Sequence, residues 1–471
     1  MTKLLLSLLV GLTIIAAGGV AVTAAAEIHR APLSCDDNSQ SSQAAGFIPP
    51  NYDPRWLEEP LRLEPGAVSR DADWRSYCPN VRYQGNCGTC WIFAALGDME
   101  TQLNINGMGL YDFSEDHLKE CNVYDTGCAG GGNFIMAGNY LNKSGARLES
   151  CQPYHQYEYY CVSSCQPQVR LREYRVIAPT TLAIQDALAE GPVISSINSD
   201  AWGNPPSGAF YTYNGSYVLS GGSGPTNHTI LIVGYDDPAF PPGHWIVRNS
   251  WGTDWGEDGY GYIAYGAGGI GAFNAQYTAF EEPLSDQDLD LVHFDNYGPE
   301  SFWGNGVSNV AWGCVEVIPE YDGVLRRIEF FTSATNWTMD ARVYNSKSGT
   351  SPTMVFYNQL FRATASNVET AGYYSVDVDP PLEITEGNDI FLAVRFQVAS
   401  GGYPVPADSM VPIDGNSYLS ISGTGSTWQT VPFDVCIRAV TQPEPVVPAV
   451  TPVGLGILLA GVSLLLIRRR R

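Results

Sequence analysis

The feature that most constrains this chain is its set of eleven cysteines in 471 residues, an odd number. Cysteines of exported proteins usually pair as disulfides, so an odd total leaves at least one thiol unpaired. Export is indicated by residues 1–26, where Lys3 precedes an apolar run and small residues at 24–26 offer a signal-peptidase site. The cysteine that stays free is therefore the first residue to identify.

The stretch QGNCGTCWIF, residues 84–93, contains Cys87 and Cys90 three positions apart. A redox pair of this spacing needs a thioredoxin-like βαβ unit, which the flanking sequence does not indicate. A zinc site needs a second pair of ligands, and Cys161 and Cys165 offer only a longer gap far away. A purely structural pair is a further alternative. The residues after Cys90 favour a helix, however, and a thiol at a helix N-terminus is favoured as the nucleophilic thiolate.

Three motifs resemble those of the papain family of cysteine peptidases. QGNCGTCW is similar to the nucleophile motif, NHTILIVGYDD to the histidine block and HWIVRNSWGTDWGEDGYGYI to the asparagine block. They give Cys90, His228 and Asn249, with His228 lying 138 residues after Cys90 and Asn249 a further 21 along. The three motifs occur in the family's order. The resemblance covers residues 71–281.

The resemblance assigns a chemical role to each of these residues. Cys90 would be the nucleophile, His228 would stabilise the thiolate and protonate the leaving amine, and Asn249 would orient the imidazole. The Gln84 side chain and the Cys90 backbone N–H would donate hydrogen bonds to the oxyanion. This chemistry requires no metal and no cofactor.

The same resemblance predicts the substrate side of the site. Gly130 and Gly131, in CAGGGN, would hydrogen-bond along an extended peptide, and Trp251 would line the cleft and shield the His–Asn hydrogen bond. The expected fold is an α+β papain-like domain of two lobes. A helical lobe would carry the nucleophile and a β-rich lobe the other two members of the triad.

The family pattern also implies which cysteines form disulfides with each other. The stretch FSEDHLKECNVYDTGCAGGGN resembles the family's second block and implies the first two of the expected pairs, while the others are assigned by remainder. The expected pairs are Cys87–Cys128, Cys121–Cys161, Cys151–Cys165, Cys314–Cys436 and Cys35–Cys78. The pair Cys314–Cys436 would close the second domain. Cys90 would remain free.

Residues 286–440 differ in character from the first domain. Short runs such as DIFLAVRFQV alternate apolar and polar residues and are separated by turn signals, which predicts an all-β sandwich. The segment resembles the lectin-like domain joined to papain-family peptidases in archaea. Trp303, Trp312 and Trp337 are candidates for stacking on sugar rings, with core positions as the alternative.

The two ends are not typical of folded domains. Residues 27–70 are too short and irregular for a helical inhibitory propeptide; we expect them to lie across the cleft, the alternative being export in an active form. Residues 441–449 form a Pro-rich linker. Residues 450–471 are mainly apolar and end in four arginines, which predicts a single C-terminal transmembrane helix or a sorting segment that is removed.

These patterns together predict an exported cysteine endopeptidase, anchored at the outer face of the cell membrane, that acts on peptides or proteins. A net charge of −24 argues against nucleic acid as a partner. Cell-surface glycans are candidate ligands of the β-domain. The alternatives are a transpeptidase or other acyl transferase with the same triad, and a surface adhesin or carbohydrate-binding protein.

Overall fold

The structure, a computed structural model, describes residues 29–30, 46–52, 71–200, 209–236 and 243–444, except 336, 369, 399, 411–412, 414–415 and 423–424. The predicted signal peptide, most of the N-terminal extension and the predicted transmembrane segment 450–471 lie outside these residues. Within the described ranges, no helix is both long and apolar enough to cross a bilayer.

The first domain has a helical lobe and a β-rich lobe. Its helices are α1 (Cys90–Ile105), α2 (Glu115–Cys121), α3 (Gly127–Gly130), α4 (Phe134–Ser144) and α5 (Thr181–Ala187). Its strands, after β1 (His29–Arg30), are β2 (Asp71–Asp73), β3 (Arg170–Ile177), β4 (Val193–Ile197), β5 (His228–Asp236), β6 (His244–Arg248), β7 (Tyr260–Ala264) and β8 (Asn274–Glu281). This arrangement confirms the predicted α+β domain of two lobes.

The helix α1 passes through the centre of this domain. All of its residues from Cys90 to Leu103 are buried, as expected of a helix whose first half is apolar on every side. The Asp98 carboxylate accepts the backbone N–H of Tyr277 at 2.8 Å, which joins the helix to β8. A Cβ at Gly97 would lie 2.6 Å from the guanidinium of Arg248, so glycine allows the helix to approach β6. The helix is thereby held against the β-rich lobe.

The second domain is built from strands. They are β9 (Asp290–Val292), β10 (Ser301–Gly304), β11 (Val310–Val317), β12 (Gly323–Thr332), β13 (Trp337–Ser348), β14 (Val355–Val368), β15 (Ala371–Ile384), β16 (Ile390–Gln397), β17 (Val405–Asp408), β18 (Asn416–Ser420), β19 (Gln429–Val431), β20 (Asp434–Val435) and β21 (Ile437–Pro443). One sheet has the order β14-β13-β16-β11-β18-β19. A core of apolar side chains from β11, β12, β15 and β16 is buried against it, so the predicted all-β domain is confirmed.

The two domains share one sheet, which the division at residues 281–286 did not anticipate. Strand β3 of the first domain pairs with β15 of the second, with Val176 opposite Ala371 and Tyr174 opposite Tyr373. The resulting strand order is β7-β6-β5-β4-β8-β3-β15-β12-β21-β9. Tyr373 also belongs to the apolar core of the first domain. The domains are therefore joined by backbone hydrogen bonds and by a common core.

Buried charges cross the same junction. Arg170 of β3 makes an ion pair of 2.6 Å with Glu329 of β12, and both side chains are almost completely buried. The guanidinium of Arg438, on β21, pairs with Asp295 at 2.8 Å and also donates to the Asn139 side chain. Arg170 also pairs with Glu281 of its own domain, and Glu329 with Arg327 of its own strand, so the junction lies within a larger buried network of charges.

The predicted Cys314–Cys436 disulfide is wrong, because both cysteines are free and buried. Cys314 packs among Trp312, Phe391 and Tyr418 in the cluster on the outer face of the sandwich. Cys436 packs instead into the core of the first domain. The two thiols lie in different cores, so no bond can join them.

The tryptophans proposed as sugar platforms are mostly core residues. Trp312 and Trp337 are each 1% exposed, and the guanidinium of Arg342 lies 4.2 Å from the Trp312 ring. Trp303 is half-buried and stacks on Phe433 at 4.4 Å. These rings are therefore occupied by protein contacts, which supports the alternative of core positions.

Candidate active site

Cys90 is the first residue of α1 and is completely buried. The turn before it is fixed by the disulfide Cys87–Cys128 and by a hydrogen bond of 2.8 Å from Gly88 N–H to the Cys128 carbonyl. Because Cys87 is used in this bond, it does not pair with Cys90. The thiol of Cys90 thus lies free at the positive end of a long helix.

The other disulfides of the helical lobe are Cys121–Cys161 and Cys151–Cys165. Cys87–Cys128 and Cys121–Cys161 agree with the pairs that the resemblance implies, and Cys151–Cys165 agrees with the pair assigned by remainder. Cys78 forms no disulfide with a described cysteine, and Cys35 lies outside the described residues.

His228 and Asn249 come from neighbouring strands of the β-rich lobe. His228 begins β5, and Asn249 directly follows β6. The imidazole Nε2 donates to Asn249 Oδ1 at 2.9 Å, and both side chains are buried. This hydrogen bond places the proton on Nε2 and leaves Nδ1, which has no hydrogen-bond partner among the described residues, as the basic nitrogen.

The thiol lies beside the first residues of β5. The backbone N–H groups of Thr229 and Gly46 are directed at the Cys90 sulfur. Burial raises the pKa of the Cys90 thiol, and these N–H groups oppose that rise. Burial lowers the pKa of His228 to about 4, against the Asn249 hydrogen bond and the charge of Asp200, which raise it. With the cleft covered, burial therefore disfavours the charged form of both groups.

Gln84 is fully buried next to this pair. Its Nε2 donates to the carbonyl of Cys87 at 2.8 Å, and its Oε1 accepts the hydroxyl of Ser250 at 2.5 Å. Its backbone N–H also donates to the Ser250 carbonyl at 2.8 Å. These bonds orient the amide so that its nitrogen faces the loop that carries the nucleophile, as an oxyanion donor requires.

Trp251 covers the imidazole and the amide. Its ring centroid lies 4.8 Å from that of His228, and the ring of Tyr211 stacks on its other side at 5.0 Å with an angle of 14°. The Phe210 ring closes the same pocket edge-on, 6.0 Å from His228. The His228–Asn249 hydrogen bond is thereby shielded from water.

The cleft holds a segment of the chain itself, residues 46–52. Gly132 N–H donates to the Gly46 carbonyl at 2.7 Å, and Ile48 N–H donates to the Gly132 carbonyl at 2.9 Å, as in a parallel strand pair. Phe47 N–H donates to the carbonyl of Asn227, the residue before His228. The N-terminal extension therefore crosses the site, as the sequence analysis favoured.

Aromatic side chains hold this segment in place. Phe47 is 7% exposed and packs on Phe273 with ring centroids 5.7 Å apart. Tyr52 lies 6.1 Å from Phe273 and 6.5 Å from Phe134. The apolar wall formed by Phe134 and Phe273 had no signal in the sequence, because neither residue belongs to one of the three motifs.

The two glycines proposed to contact substrate differ in position. A Cβ at Gly131 would lie 2.4 Å from the Gly46 carbonyl oxygen, so Gly131 is in close contact with the segment in the cleft. Gly130 ends α3 and donates its N–H to Thr126 at 2.7 Å. The backbone pairing is made by Gly132, one residue further on than the predicted pair.

A second cysteine–histidine cluster lies away from the cleft. His117 Nε2 is 3.4 Å from Cys121 Sγ, and Cys161 is close enough to complete a three-ligand group. Both sulfurs are already joined to each other in a disulfide. Since zinc binds thiolates, the oxidised cluster has no metal-binding sulfur.

Comparisons with known proteins agree with this geometry. The family model described as papain family cysteine protease matches residues 68–279, and the model of a lectin like domain matches residues 295–441. A viral cathepsin of Mamestra configurata nucleopolyhedrovirus is 32% identical over 244 residues, which are 50% of this chain and 68% of that protein. A cysteine proteinase of Trypanosoma brucei brucei is 31% identical over 217 residues, 43% of this chain and 45% of that protein. The chain thus spans about half to two thirds of the length of these relatives.

The fold is also similar to a solved two-domain structure. The crystal structure of the cysteine protease and lectin-like domains of Cwp84, a surface layer associated protein of Clostridium difficile, superposes with a TM-score of 0.70 and 18% identity. The superposition covers 88% of this chain and 98% of that one. Fold and site together define a two-lobed thiol peptidase joined to a lectin-like β-domain. The chain belongs to the papain family of cysteine proteases.

Proposed function

We propose that this chain is an exported cysteine endopeptidase that hydrolyses peptide bonds through Cys90, His228 and Asn249. The observation that carries the proposal is the free thiol at the start of α1, beside the strand that begins with a buried imidazole hydrogen-bonded to an amide. The Cys87–Cys128 bond supports it further, because it excludes the disulfide alternative for Cys90.

In the proposed mechanism, opening the cleft returns water to the site and allows the proton of the Cys90 thiol to move to His228 Nδ1. The thiolate attacks the substrate carbonyl carbon, and the oxyanion is stabilised by Gln84 and by the Cys90 backbone N–H. The C–N bond breaks as His228 protonates the amine. Water then gives a proton to His228 and cleaves the thioester, which releases the acid and restores the thiol.

Residues 46–52 act, in this proposal, as an inhibitory pro-segment. The segment lies over the thiol, forms backbone hydrogen bonds with Gly132 and Asn227, and places Phe47 against the apolar wall of the cleft. Its parallel pairing with Gly132 is supported by two hydrogen bonds, one on each side of Phe47. A substrate therefore binds only after the segment has left or has been cut.

We propose that the protein works outside the cell, held at the surface by residues 450–471. Three disulfides support an oxidising compartment. The related fold of Cwp84 belongs to a surface layer associated protein. The apolar run with terminal arginines supports a membrane anchor or a sorting signal.

The β-domain is proposed to bind surface glycans. Its support is a cleft of about 480 Å³ between β13, β14 and the turn before β16, lined by Asn345, Lys347, Tyr357, Asn388 and Asp389. The ring of Tyr357 is 51% exposed. An exposed ring beside amide and charged groups suits a sugar, which offers an apolar face and hydroxyls. Loss of glycan binding in Tyr357→Ala, with binding kept in a control at the exposed Ile318, would support this; equal binding by both variants would refute it.

The experiment that tests the peptidase combines labelling and turnover. The full ectodomain is treated with an electrophilic epoxide after limited proteolysis, the modified residue is mapped by mass, and fluorogenic peptide cleavage is followed. We expect labelling of Cys90, loss of cleavage in Cys90→Ala and strong reduction in Asn249→Ala. A surface control, Thr278→Ala, should cleave normally. Cleavage that survives in Cys90→Ala would refute the proposal.

The same assay separates hydrolysis from acyl transfer. An amine acceptor is added to the peptide, and the products are identified by mass. Free acid as the main product supports the peptidase, whereas a predominance of the amide product supports the transferase alternative.

A further inference from the structure

A carboxylate is held next to the catalytic histidine by residues outside the triad. Asp200 follows β4, and its Oδ2 accepts the side-chain N–H of Asn227 at 2.6 Å. Its Oδ1 accepts the hydroxyl of Tyr211 at 2.5 Å. The backbone N–H of Asp200 donates to Asn198 at 2.8 Å. Two hydrogen bonds thus hold the exposed carboxylate, and a third holds the backbone of Asp200.

Both side-chain partners of this carboxylate lie next to a residue that adjoins the imidazole. Asn227 precedes His228 in the chain, and its own carbonyl accepts the N–H of Phe47 in the cleft. Tyr211 stacks on Trp251, which in turn covers His228. The negative charge of Asp200 is therefore held by the residue that precedes His228.

Groups from several packed elements face His228. From α1 comes the thiol of Cys90, and from the residues directly after β6 come the Asn249 amide and the Trp251 ring. From the loop after β4 comes Asp200, whose charge favours the imidazolium. The phenol of Tyr211 is directed at Asp200 and not at the imidazole. Among the described residues, Asp200 is thus a negative side chain whose charge favours protonation of His228.

We propose that Asp200, positioned by Asn227 and Tyr211, is the electrostatic partner of His228 and stabilises its imidazolium form, and with it the reactive thiolate–imidazolium pair. Asp200 acts through His228 and is a positioning residue, since it contacts no reacting atom. The proposal rests on the peptidase function stated above.

The size of the effect follows from the exposure of the carboxylate. An exposed charge near a protein surface acts through a high effective dielectric and is screened by salt. We therefore expect Asp200→Asn to lower the pH midpoints of thiol reactivity by about half a unit at low ionic strength. The difference between wild type and variant should shrink in about 1 M salt, where the screening length is about 3 Å.

The test measures the pH dependence of Cys90 alkylation by iodoacetamide in the full chain, alongside kcat/KM for peptide cleavage. Alkylation proceeds from whatever fraction of molecules has an open cleft, so its midpoint is readable even when the overall rate is low. The variants are Asp200→Asn, the swap Asp200→Asn with Asn227→Asp, and Tyr211→Phe. Asp236→Asn, the same charge change at the far end of β5, is the matched control.

We expect a lower midpoint in Asp200→Asn, a midpoint near that of wild type in the swap, and no shift in Asp236→Asn. Equal midpoints in Asp200→Asn and wild type would overturn the proposal. A uniform loss of rate at every pH, without a shift, would also overturn it, because that is the result of a merely structural role. If alkylation shifts as expected but wild type cleaves no peptide after activation, the electrostatic proposal stands and the proposed function fails.

Discussion

The backbone N–H of Gly132 donates to the carbonyl of Gly46 at 2.7 Å, and this bond pairs the N-terminal segment with the wall of the active-site cleft. The same Gly46 is packed so closely that a Cβ on it would lie 2.0 Å from the carbonyl oxygen of Gly88. The segment is therefore seated only because residue 46 has no side chain. This contact makes the inhibitory role testable without truncating the chain.

Gly46→Leu should unseat the segment and raise peptide turnover of the unprocessed chain by at least about tenfold, since about 1.4 kcal/mol of lost segment binding corresponds to that factor. Ile48→Ala is the matched control, because Ile48 lies in the same segment and is 42% exposed. The measurement is the initial rate of peptide cleavage before any proteolysis. Equal rates in wild type and Gly46→Leu would count against inhibition by this segment.

Gln84→Ala should lower kcat by about 10²–10³, because one donor to the developing oxyanion is lost. KM should change little, since the donor acts in the tetrahedral state. Gln84 also bonds Cys87 and Ser250, so the thermal unfolding of the variant is measured in parallel. A rise in KM with unchanged kcat would contradict the proposed role.

The buried Glu329 should make the free energy of unfolding depend on pH. Burial alone would raise its pKa, but Arg170 and Arg327 outweigh that effect and lower the pKa to about 2. The folded state thus binds this proton less readily than the unfolded state, whose pKa is near 4.5. The stabilisation is complete above about pH 5 and is lost as the pH falls towards 2.

Glu329→Gln should accordingly lower the free energy of unfolding by about 3 kcal/mol at pH 7. The difference from wild type should disappear near pH 2, where Glu329 itself becomes protonated. Urea unfolding at a series of pH values measures this difference, and the exposed Glu383→Gln on β15 serves as control. A difference that stays constant with pH would argue against the ion pair as its source.

The free thiols of the second domain can be counted directly. Cys314 and Cys436 lie in different cores, so both should be alkylated when the protein is unfolded without a reducing agent. Cys87 and Cys128 should remain unlabelled until reductant is added. Peptide mapping by mass gives the result, and protection of Cys314 and Cys436 before reduction would refute the separation of the two thiols.

A peptidase fragment ending at residue 285 should be poorly soluble. Without β15, the backbone edge of β3 is unpaired and Tyr174 loses its stacking on Tyr373. Arg170 also loses Glu329, which leaves a buried charge with fewer partners. Size-exclusion chromatography of the fragment beside the full ectodomain checks this, and a monodisperse, active fragment would contradict it.

The candidate site residues could be proposed from sequence because they lie in short motifs. Cys90, His228 and Asn249 each lie within a run of residues whose types are fixed by their roles, and the spacing requires no knowledge of the fold. Trp251 follows from the same block. The disulfides of the helical lobe were accessible for a similar reason, since their cysteines lie within or near these motifs.

The parts that the sequence did not reveal depend on contacts between distant residues. Asp200 reaches the site through Asn227 and Tyr211, and no local pattern links these three positions. The pairing of β3 with β15 joins strands about 200 residues apart, each of which reads as an ordinary strand by itself. Cys314 and Cys436 were paired by remainder, and counting cannot tell which core a thiol faces.

The shared sheet also determines the orientation of the active site relative to the C-terminal strand β21. The last strand, β21, pairs with β12, with Ile437 opposite Phe330 and Pro443 opposite Gly323. Strand β12 pairs with β15, and β15 pairs with β3 of the peptidase. Continuous strand pairing therefore connects the peptidase domain to Pro443. If the protein is attached beyond β21, as proposed above, its cleft keeps a fixed angle to that strand.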